Sequence, residues 1–143
     1  MTSDNPRFLD MTIKTVGVLG CGLMGAGIAQ VSAASGYKTI VREVNQGLLD
    51  KGLGRIRKFL DDGVAKGKVT TEQRDGTLGN LSGATDFSAM GGCDLVVEAI
   101  IENIDDKAAA YNALESVLGP DAILASNTSS LCVTELASRT KRP

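Results

Sequence analysis

Three glycines at a fixed spacing are the first residues of this sequence that could do chemistry. Gly20, Gly22 and Gly25 form a G-x-G-x-x-G motif in the stretch VGVLGCGLMGAGIAQ, which runs from a strand-like into a helix-like segment. In that context the motif predicts a dinucleotide-binding loop. The N–H groups of the first helical turn, which includes Leu23 and Met24, can bind a pyrophosphate. The alternative is a glycine-rich turn that holds no ligand.

An acidic residue, Glu43, follows the predicted second strand, about twenty residues beyond the loop, as the motif requires. Its carboxylate can accept hydrogen bonds from both hydroxyls of an adenosine ribose, and it would repel a 2′-phosphate. Arg42 could accept such a phosphate, but side chains alternate along a strand, so Arg42 should point away from Glu43. The pair therefore favours NAD over NADP. A solvated strand end is the alternative for Glu43.

A second polar group, VVEAIIEN, surrounds the end of another buried strand. Glu98 lies within the apolar run and needs a partner or a polar crevice, and Glu102 follows it. Lys107 comes early in the next predicted helix, where a cation opposes the helix dipole, so a nearby anion or phosphate would explain it. Carboxylates at a surface edge and a solvated lysine are the alternatives.

The stretch ASNTSS, residues 125–130, gathers hydroxyl and amide side chains directly after an apolar strand. These groups can donate hydrogen bonds to a carbonyl or an alkoxide. They can also cap the following helix, but capping needs only one of them. The run therefore predicts a polar pocket wall, with capping alone as the alternative.

The elements that must position these residues alternate between strand and helix. The predicted strands cover residues 14–20, 37–43, 81–87, 94–100 and 122–126, and the predicted helices cover 23–35, 46–66, 70–80, 104–118 and 133–138. This alternation predicts an α/β fold of the Rossmann type, a doubly wound, mostly parallel sheet with helices on both faces. Such folds bind ligands beyond the carboxyl ends of their strands, where the polar groups above lie.

Composition narrows the class of protein further. The 143 residues carry a net charge of −2 with both signs mixed, which argues against nucleic-acid binding, and no apolar run could span a membrane. Cys21, Cys93 and Cys132 are widely spaced and there is no histidine, so we expect reduced thiols, no metal site and a cytoplasmic protein. Residues 1–12 lack the apolar core of a signal peptide and are predicted to be a flexible leader to one domain over residues 13–143.

These stretches together resemble the N-terminal NAD-binding domain of the 3-hydroxyacyl-CoA dehydrogenases, and most of all the bacterial 3-hydroxybutyryl-CoA dehydrogenase branch. The resemblance rests on VGVLGCGLMGAGIAQVSAASGY, on VVEAIIEN followed by Lys107, and on ILASNTSSLCVTELASRTKRP. It covers nearly the whole chain from residue 13. It implies an enzyme that oxidises a 3-hydroxyacyl-CoA to the 3-oxoacyl-CoA with NAD, in fatty-acid oxidation or butyrate-type metabolism.

The resemblance also implies roles for individual residues. The glycine loop would line the pyrophosphate, and Glu43 stands where the family usually has an aspartate for the adenosine ribose. Ser129 would contact the substrate and the nicotinamide near the reacting carbon, with Asn127 in support. The nicotinamide side of the cofactor would contact Ala99, Glu102 and Lys107. The CoA phosphates would contact Lys66 or Lys68.

The resemblance implies that the catalytic base lies beyond Pro143. In the family, TKRP leads into a strand with a histidine that takes the hydroxyl proton while hydride leaves for NAD, and a glutamate orients that histidine. An all-helical domain follows, which completes the substrate site and usually forms a homodimer. This chain has no histidine, and Ser129 alone is too weak a base, so we expect an NAD-binding half without dehydrogenase activity of its own.

Two other interpretations stay open at this point. The β-hydroxyacid dehydrogenases related to 3-hydroxyisobutyrate dehydrogenase also carry a G-x-G-x-M-G loop, although their later motifs differ from SNTSS and EAIIEN. A non-catalytic NAD-sensing module would explain the absence of histidine, but it would not need the hydroxyl-rich wall.

Overall fold

Five parallel strands form the centre of the structure, a computed structural model that describes residues 12–142. The strands are β1 (Thr15–Leu19), β2 (Lys38–Arg42), β3 (Leu81–Ala84), β4 (Leu95–Glu98) and β5 (Ile123–Ser126). The helices are α1 (Leu23–Ala34), α2 (Gln46–Ala65), α3 (Thr71–Gly79), α4 (Ile104–Glu115) and α5 (Val133–Ser138), with a short 3₁₀ helix at Phe87–Met90. Apart from Thr12, the predicted leader lies outside the described residues.

The strand order across the sheet is β3-β2-β1-β4-β5, and every pairing is parallel. The order reverses between β1 and β4, and a doubly wound sheet binds its ligand beyond the carboxyl ends of the strands at such a reversal. The register aligns the strand ends there: Leu19 lies beside Arg42 and Glu98, and Glu98 lies beside Ser126. The predicted α/β fold of the Rossmann type is confirmed.

Each face of the sheet has its own apolar core, because successive side chains of a strand point to opposite faces. Val16 and Val18 of β1 pack with α1 and α2, whereas Leu19 packs with α4 and α5 on the other face. Gly17 also faces the second core, where a Cβ would lie 2.7 Å from the sulfur of Met90. Glycine at this position therefore lets the 3₁₀ helix pack close to the sheet.

The extent of the third strand is where the sequence prediction was wrong. β3 ends at Ala84 rather than at residue 87, and the chain then turns into the 3₁₀ helix. The carboxylate of Asp86 accepts a hydrogen bond from the N–H of Ser88 at 2.7 Å, which stabilises the turn in place of a longer strand. Phe87 consequently packs against the core on the α4 side.

Within residues 12–142 all three cysteines are free thiols, with Cys21 and Cys93 buried and Cys132 exposed. That part of the chain holds no cluster of acidic and cysteine side chains that could bind a metal ion. None of its helices is long and apolar enough to cross a membrane.

Candidate cofactor site

An open crevice of about 600 Å³ crosses the carboxyl edge of the sheet at the reversal in strand order. Its walls come from the loop after β1, the start of α2, the loop after β4, and α4; they include Gly22, Glu43, Leu48, Ile101 and Ala109. Sites for small molecules and cofactors span roughly 300–1,000 Å³, so the crevice is of suitable size. It brings together the glycine loop and the acidic residue, which follow different strands.

Each glycine of the loop occupies a different environment. Gly20 has a φ of +88°, in the left-handed region, and a Cβ on it would lie 2.7 Å from the carbonyl oxygen of Ala99. A Cβ on Gly25 would collide with the carbonyl oxygen of Gly20, so α1 packs against β1 only with glycine there. By contrast, no atom of residues 12–142 lies within 4 Å of a Cβ built on Gly22. The fold does not need glycine at position 22, and the open space beside it can take a bound group.

Helix α1 begins at this loop, and within the described part of the chain no side chain caps its first backbone N–H groups. Its N-cap, Gly22, has no side-chain acceptor, and its first turn contains no acidic residue. The first N–H groups of a helix have no partner within the helix, and the positive end of the helix dipole attracts anions. Leu23 and Met24, in this turn, are 78% and 58% exposed. The geometry therefore fits the pyrophosphate of a dinucleotide.

Glu43 joins the end of β2 to the glycine loop. Its Oε1 accepts a hydrogen bond from the N–H of Cys21 at 2.6 Å, and its Oε2 accepts one from the next backbone N–H along the chain at 3.0 Å. Arg42 turns to other partners: its Nε donates to the carbonyl oxygen of Thr85 at 3.0 Å, and its guanidinium lies 3.9 Å from the ring centre of Phe87. The two neighbouring side chains therefore diverge, as the strand alternation predicts.

Cys21 fills the variable position of the glycine loop as a packing group. It is buried against Gly52 of α2. Burial raises the pKa of its thiol to about 11, and the charge of Glu43 adds to the rise. The thiol is therefore neutral near pH 7 and acts in packing rather than as a nucleophile.

Glu98, at the end of β4, is a fully buried carboxylate with four hydrogen-bond donors. Its Oε2 accepts bonds from Nζ of Lys107 at 2.6 Å and from the N–H of Ile100 at 2.8 Å. Its Oε1 accepts bonds from Oγ of Ser126 at 2.7 Å and from the hydroxyl of Tyr111 at 3.3 Å. The anion that Lys107 was predicted to need is therefore Glu98, and the alternatives of a solvated lysine and a surface glutamate are wrong for this pair.

Glu102 binds two hydroxyl side chains of the segment after β5. Thr128 and Ser130 donate their hydroxyl hydrogen bonds to its Oε2 at 2.7 and 2.8 Å. These two bonds lower the pKa of the Glu102 carboxyl, and nearby Lys107 adds to the effect. The carboxylate thus stays charged near pH 7 and fixes the segment to the loop after β4.

Asn127 and Ser129 alternate along the chain with the two residues that Glu102 binds, and both are exposed. Within residues 12–142, neither side chain forms a hydrogen bond to another residue. The segment does not cap α5, whose N-cap is Cys132 with no side-chain hydrogen bond. Capping alone is therefore the wrong explanation of SNTSS, and the segment presents two polar side chains on its outer side.

Of the other residues predicted to contact the cofactor or CoA, one lines the crevice and two do not. Ala99 lines it, and its N–H donates to the carbonyl oxygen of Leu19 at 2.8 Å. Lys66 is the exposed C-cap of α2, a helix of 20 residues that begins near the crevice and is about 30 Å long. Lys68 is exposed just beyond it. The structure brings neither lysine to the crevice, and their contact with CoA stays a prediction.

Two residues of the site were not recognised as functional from the sequence. Tyr111 lies in the predicted helix 104–118, where its aromatic ring suggests only packing, although it follows Lys107 by one helical turn and so shares its face. Ser126 counted only as one of several polar groups after β5. In both cases the missing information was the partner, Glu98, which lies on a different strand.

Comparison with known proteins gives a consistent assignment. The family model of the NAD-binding domain of 3-hydroxyacyl-CoA dehydrogenase matches residues 15–143. A 3-hydroxybutyryl-CoA dehydrogenase of Mycobacterium tuberculosis is 43% identical over 132 residues, which are 92% of this chain and 46% of that protein. The alpha subunit of a fatty acid oxidation complex of Idiomarina loihiensis is 43% identical over 131 residues, which are 92% of this chain and 18% of that protein.

The crystal structure of M. tuberculosis FadB2 superposes with a TM-score of 0.90 at 42% identity, covering 93% of this chain and 47% of that one. The chain thus spans less than half the length of these relatives.

Proposed function

The chain belongs to the 3-hydroxyacyl-CoA dehydrogenase family as its NAD-binding domain, and we propose that it holds NAD for hydride transfer to or from carbon 3 of a 3-hydroxyacyl-CoA. The observation that carries this proposal is the open space at Gly22 beside the free N–H groups of α1. The similarity to a 3-hydroxybutyryl-CoA dehydrogenase supports a short acyl chain, the 3-hydroxybutyryl group, as the substrate.

The glycine loop and Glu43 would hold the adenosine half of the cofactor. The pyrophosphate would lie against Gly20, Gly22 and Gly25, where backbone donors of α1 are available. The carboxylate of Glu43, already at the loop through Cys21, would bind the ribose hydroxyls and repel a 2′-phosphate. This side of the site therefore selects NAD over NADP.

The residues after β4 and β5 would hold the nicotinamide half and the substrate. Ala99, Glu102 and Lys107 would lie on the nicotinamide side. Ser129, supported by Asn127, would donate a hydrogen bond to the substrate oxygen at carbon 3. Bound NAD would supply the hydride acceptor, while the exposed hydroxyl and amide groups would bind the substrate oxygen and so turn the hydrogen on carbon 3 toward that acceptor.

A histidine base would have to come from outside this sequence. Oxidation of the alcohol sends hydride to NAD and the hydroxyl proton to a base, and the chain contains no histidine. The hydroxyl of Ser129 has no activating partner among residues 12–142. We therefore propose that a histidine and an orienting glutamate in a further part of the enzyme complete the site, and that this chain alone has no dehydrogenase activity.

Several finer features belong to the same proposal. Lys66 or Lys68 would approach the CoA phosphates once a substrate domain is present. The complete enzyme would form a homodimer through an all-helical domain and would act in the cytoplasm. These features are supported by the resemblance of the sequence motifs to the family.

A fluorescence titration of the chain with NADH, and with NADPH in parallel, tests the proposal. Saturable NADH binding with much weaker NADPH binding is the expected result. Absence of saturable NADH binding would contradict the proposed cofactor role of this chain. Steady oxidation of NADH with acetoacetyl-CoA by the pure chain would overturn the assignment of the base to another part of the enzyme.

A further inference from the structure

We propose that Glu98 is a positioning residue of the cofactor site, which acts on the nicotinamide side through Lys107 and Ser126. The inference rests on the proposed function, because it assigns a task within the same site. Glu98 is 0% exposed, so its carboxylate cannot touch cofactor or substrate itself. Any effect it has on binding must therefore pass through the groups that it holds.

The donors to Glu98 come from three different elements. Lys107 and Tyr111 belong to α4, Ser126 ends β5, and Ile100 lies in the loop after β4. A buried carboxylate is costly unless it is paired and its lone pairs accept hydrogen bonds, and here both conditions are met. One buried charge thus fixes the relative positions of a helix, a strand end and a loop at the edge of the crevice.

Two routes connect Glu98 to the segment that presents Asn127 and Ser129. On the first route, Nζ of Lys107 lies 2.6 Å from Glu98 and 3.4 Å from Oε1 of Glu102, which binds the hydroxyls within the segment. On the second route, Oγ of Ser126 donates to Glu98 and accepts the N–H of the residue two positions on, at 3.1 Å. The backbone adds a third link, because the N–H of Asn127 donates to the carbonyl oxygen of Glu98 at 2.8 Å.

Loss of the charge should disturb both side-chain routes while the sheet stays paired. In Glu98→Gln the side chain keeps its volume, but Lys107 retains only the carboxylate of Glu102 at 3.4 Å as an anionic partner. We expect Lys107 to shift toward Glu102. The segment that presents Asn127 and Ser129 should then become more mobile. NADH binding should weaken by about tenfold, the scale of a coupling between residues in one network.

A double-mutant cycle tests whether Glu98 acts through Lys107. NADH dissociation constants are measured for wild type, Glu98→Gln, Lys107→Met and the double variant. The expected result is strong non-additivity: the effect of Glu98→Gln in the Lys107→Met background falls below about threefold. Full additivity, or an unchanged dissociation constant in Glu98→Gln, would overturn the proposal.

Leu114→Ala serves as the matched control for a general loss of stability. Leu114 is fully buried in the same helix and packs in the apolar core. Its truncation leaves a cavity that lowers the free energy of unfolding without touching the polar network. It should change the NADH dissociation constant by less than about twofold. Equal weakening in Leu114→Ala and Glu98→Gln would show a merely structural role and overturn the proposal.

Amide hydrogen exchange, followed by NMR without cofactor, provides a test that does not depend on NADH binding. Glu98→Gln should speed exchange at the amides of Ile100, Thr128 and Leu131, while those of β2 stay protected. Leu114→Ala should instead speed exchange along α4. If wild type fails to bind NADH, the proposed function and the cofactor role of Glu98 both fall, whereas the exchange data still show whether Glu98 holds the segment after β5. Unchanged exchange at the three amides would overturn the inference.

Discussion

Gly52 of α2 lies directly against Cys21 of the glycine loop. A Cβ at position 52 would lie 2.5 Å from the Cβ of Cys21 and 2.6 Å from its carbonyl oxygen, closer than real Cβ atoms approach. On its other side, the N–H of Cys21 is bound by Glu43. The glycine loop is therefore held between a helix and an acidic side chain, so a change within α2 should alter the shape of the crevice.

Gly52→Ala should weaken NADH binding together with stability. The new methyl group would clash with the backbone of Cys21 as well as with its side chain. A change of the Cys21 rotamer cannot relieve this clash, so the loop itself must move. Overpacking of this kind costs about 1–3 kcal/mol, and the displaced loop should raise the NADH dissociation constant by at least about tenfold. Urea unfolding and an NADH titration measure the two effects.

Gly54→Ala is the matched control in the same helix. Among the residues that the structure describes, no atom lies within 4 Å of a Cβ at position 54, so the methyl group enters open space. Alanine should raise the free energy of unfolding by about 0.5–1 kcal/mol through helix propensity and leave NADH binding unchanged. If both variants bind NADH as wild type does, contact of α2 with the loop has no role in shaping the site.

Gly22→Ala should separate binding from folding. Gly22 has a φ of −67°, which any residue adopts, and a Cβ there would meet no atom of the described residues within 4 Å. The free energy of unfolding should change by less than about 1 kcal/mol. The methyl group would, however, occupy the space proposed for the pyrophosphate, so the NADH dissociation constant should rise by at least about tenfold.

Gly27→Ala, in α1, controls for the added methyl group, since its surroundings are also open. It should bind NADH as wild type does. Undiminished NADH binding by Gly22→Ala would mean that the cofactor lies elsewhere in the crevice.

Glu43→Ala should reduce the discrimination between NADH and NADPH. The variant loses the carboxylate that would bind the ribose hydroxyls and repel a 2′-phosphate, and it also frees the N–H of Cys21. We expect NADH to bind about tenfold more weakly while NADPH loses less affinity or gains some. Parallel titrations with both nucleotides measure the ratio.

Arg42→Met is the comparison for this experiment. The guanidinium of Arg42 is held by Thr85 and Phe87, so its removal should leave the preference for NADH intact. A change of preference in Arg42→Met, and none in Glu43→Ala, would show that Arg42 is the discriminating residue.

Most of the fold could be predicted from the sequence because its determinants are local. Buried β-branched runs mark β1 and β4, and the glycine motif lies between a strand and a helix in the context that defines it. The sequence prediction extends β3 too far. The carboxylate of Asp86 accepts a hydrogen bond from the N–H of Ser88, and this bond favours a turn over a longer strand. In that case a short-range polar interaction overrode the apolar pattern.

The interior of the site could be predicted only in part, because its pairings are not local. Glu98 evidently needed a partner, but four donors from α4, β5 and a loop were available only after folding. The same limit applies to Gly52 in α2. Only the folded structure shows that Cys21 of the glycine loop lies too close to this position for any side chain. The sequence shows which residue types are uncommon at their positions, such as a glutamate within an apolar strand. The packing of strands, helices and loops decides which of these residues come into contact.

Asp94 ties the start of β4 to the start of β1 and should make stability depend on acid pH. Its Oδ2 accepts hydrogen bonds from the N–H groups of Lys14 and Thr15 at 2.8 and 2.9 Å. These backbone bonds lower the pKa of the Asp94 carboxyl below its ordinary value. A lowered pKa in the folded state stabilises the protein fully above the unfolded pKa of about 3.9, and this stabilisation is lost as the pH falls through the folded pKa.

Asp94→Asn should therefore lower the free energy of unfolding by about 1 kcal/mol near neutral pH, because an amide oxygen accepts the same bonds less strongly than a carboxylate. The difference from wild type should shrink as the pH falls below about 3.9, where the carboxyl of the unfolded chain takes up its proton first and that of the folded protein follows at lower pH. Urea unfolding at several pH values, with Asp121→Asn as an exposed carboxylate control, measures this difference. A difference that stays constant into the acid range would mean that the carboxylate charge does not strengthen these bonds, and that Asp94 joins the two strands by geometry alone.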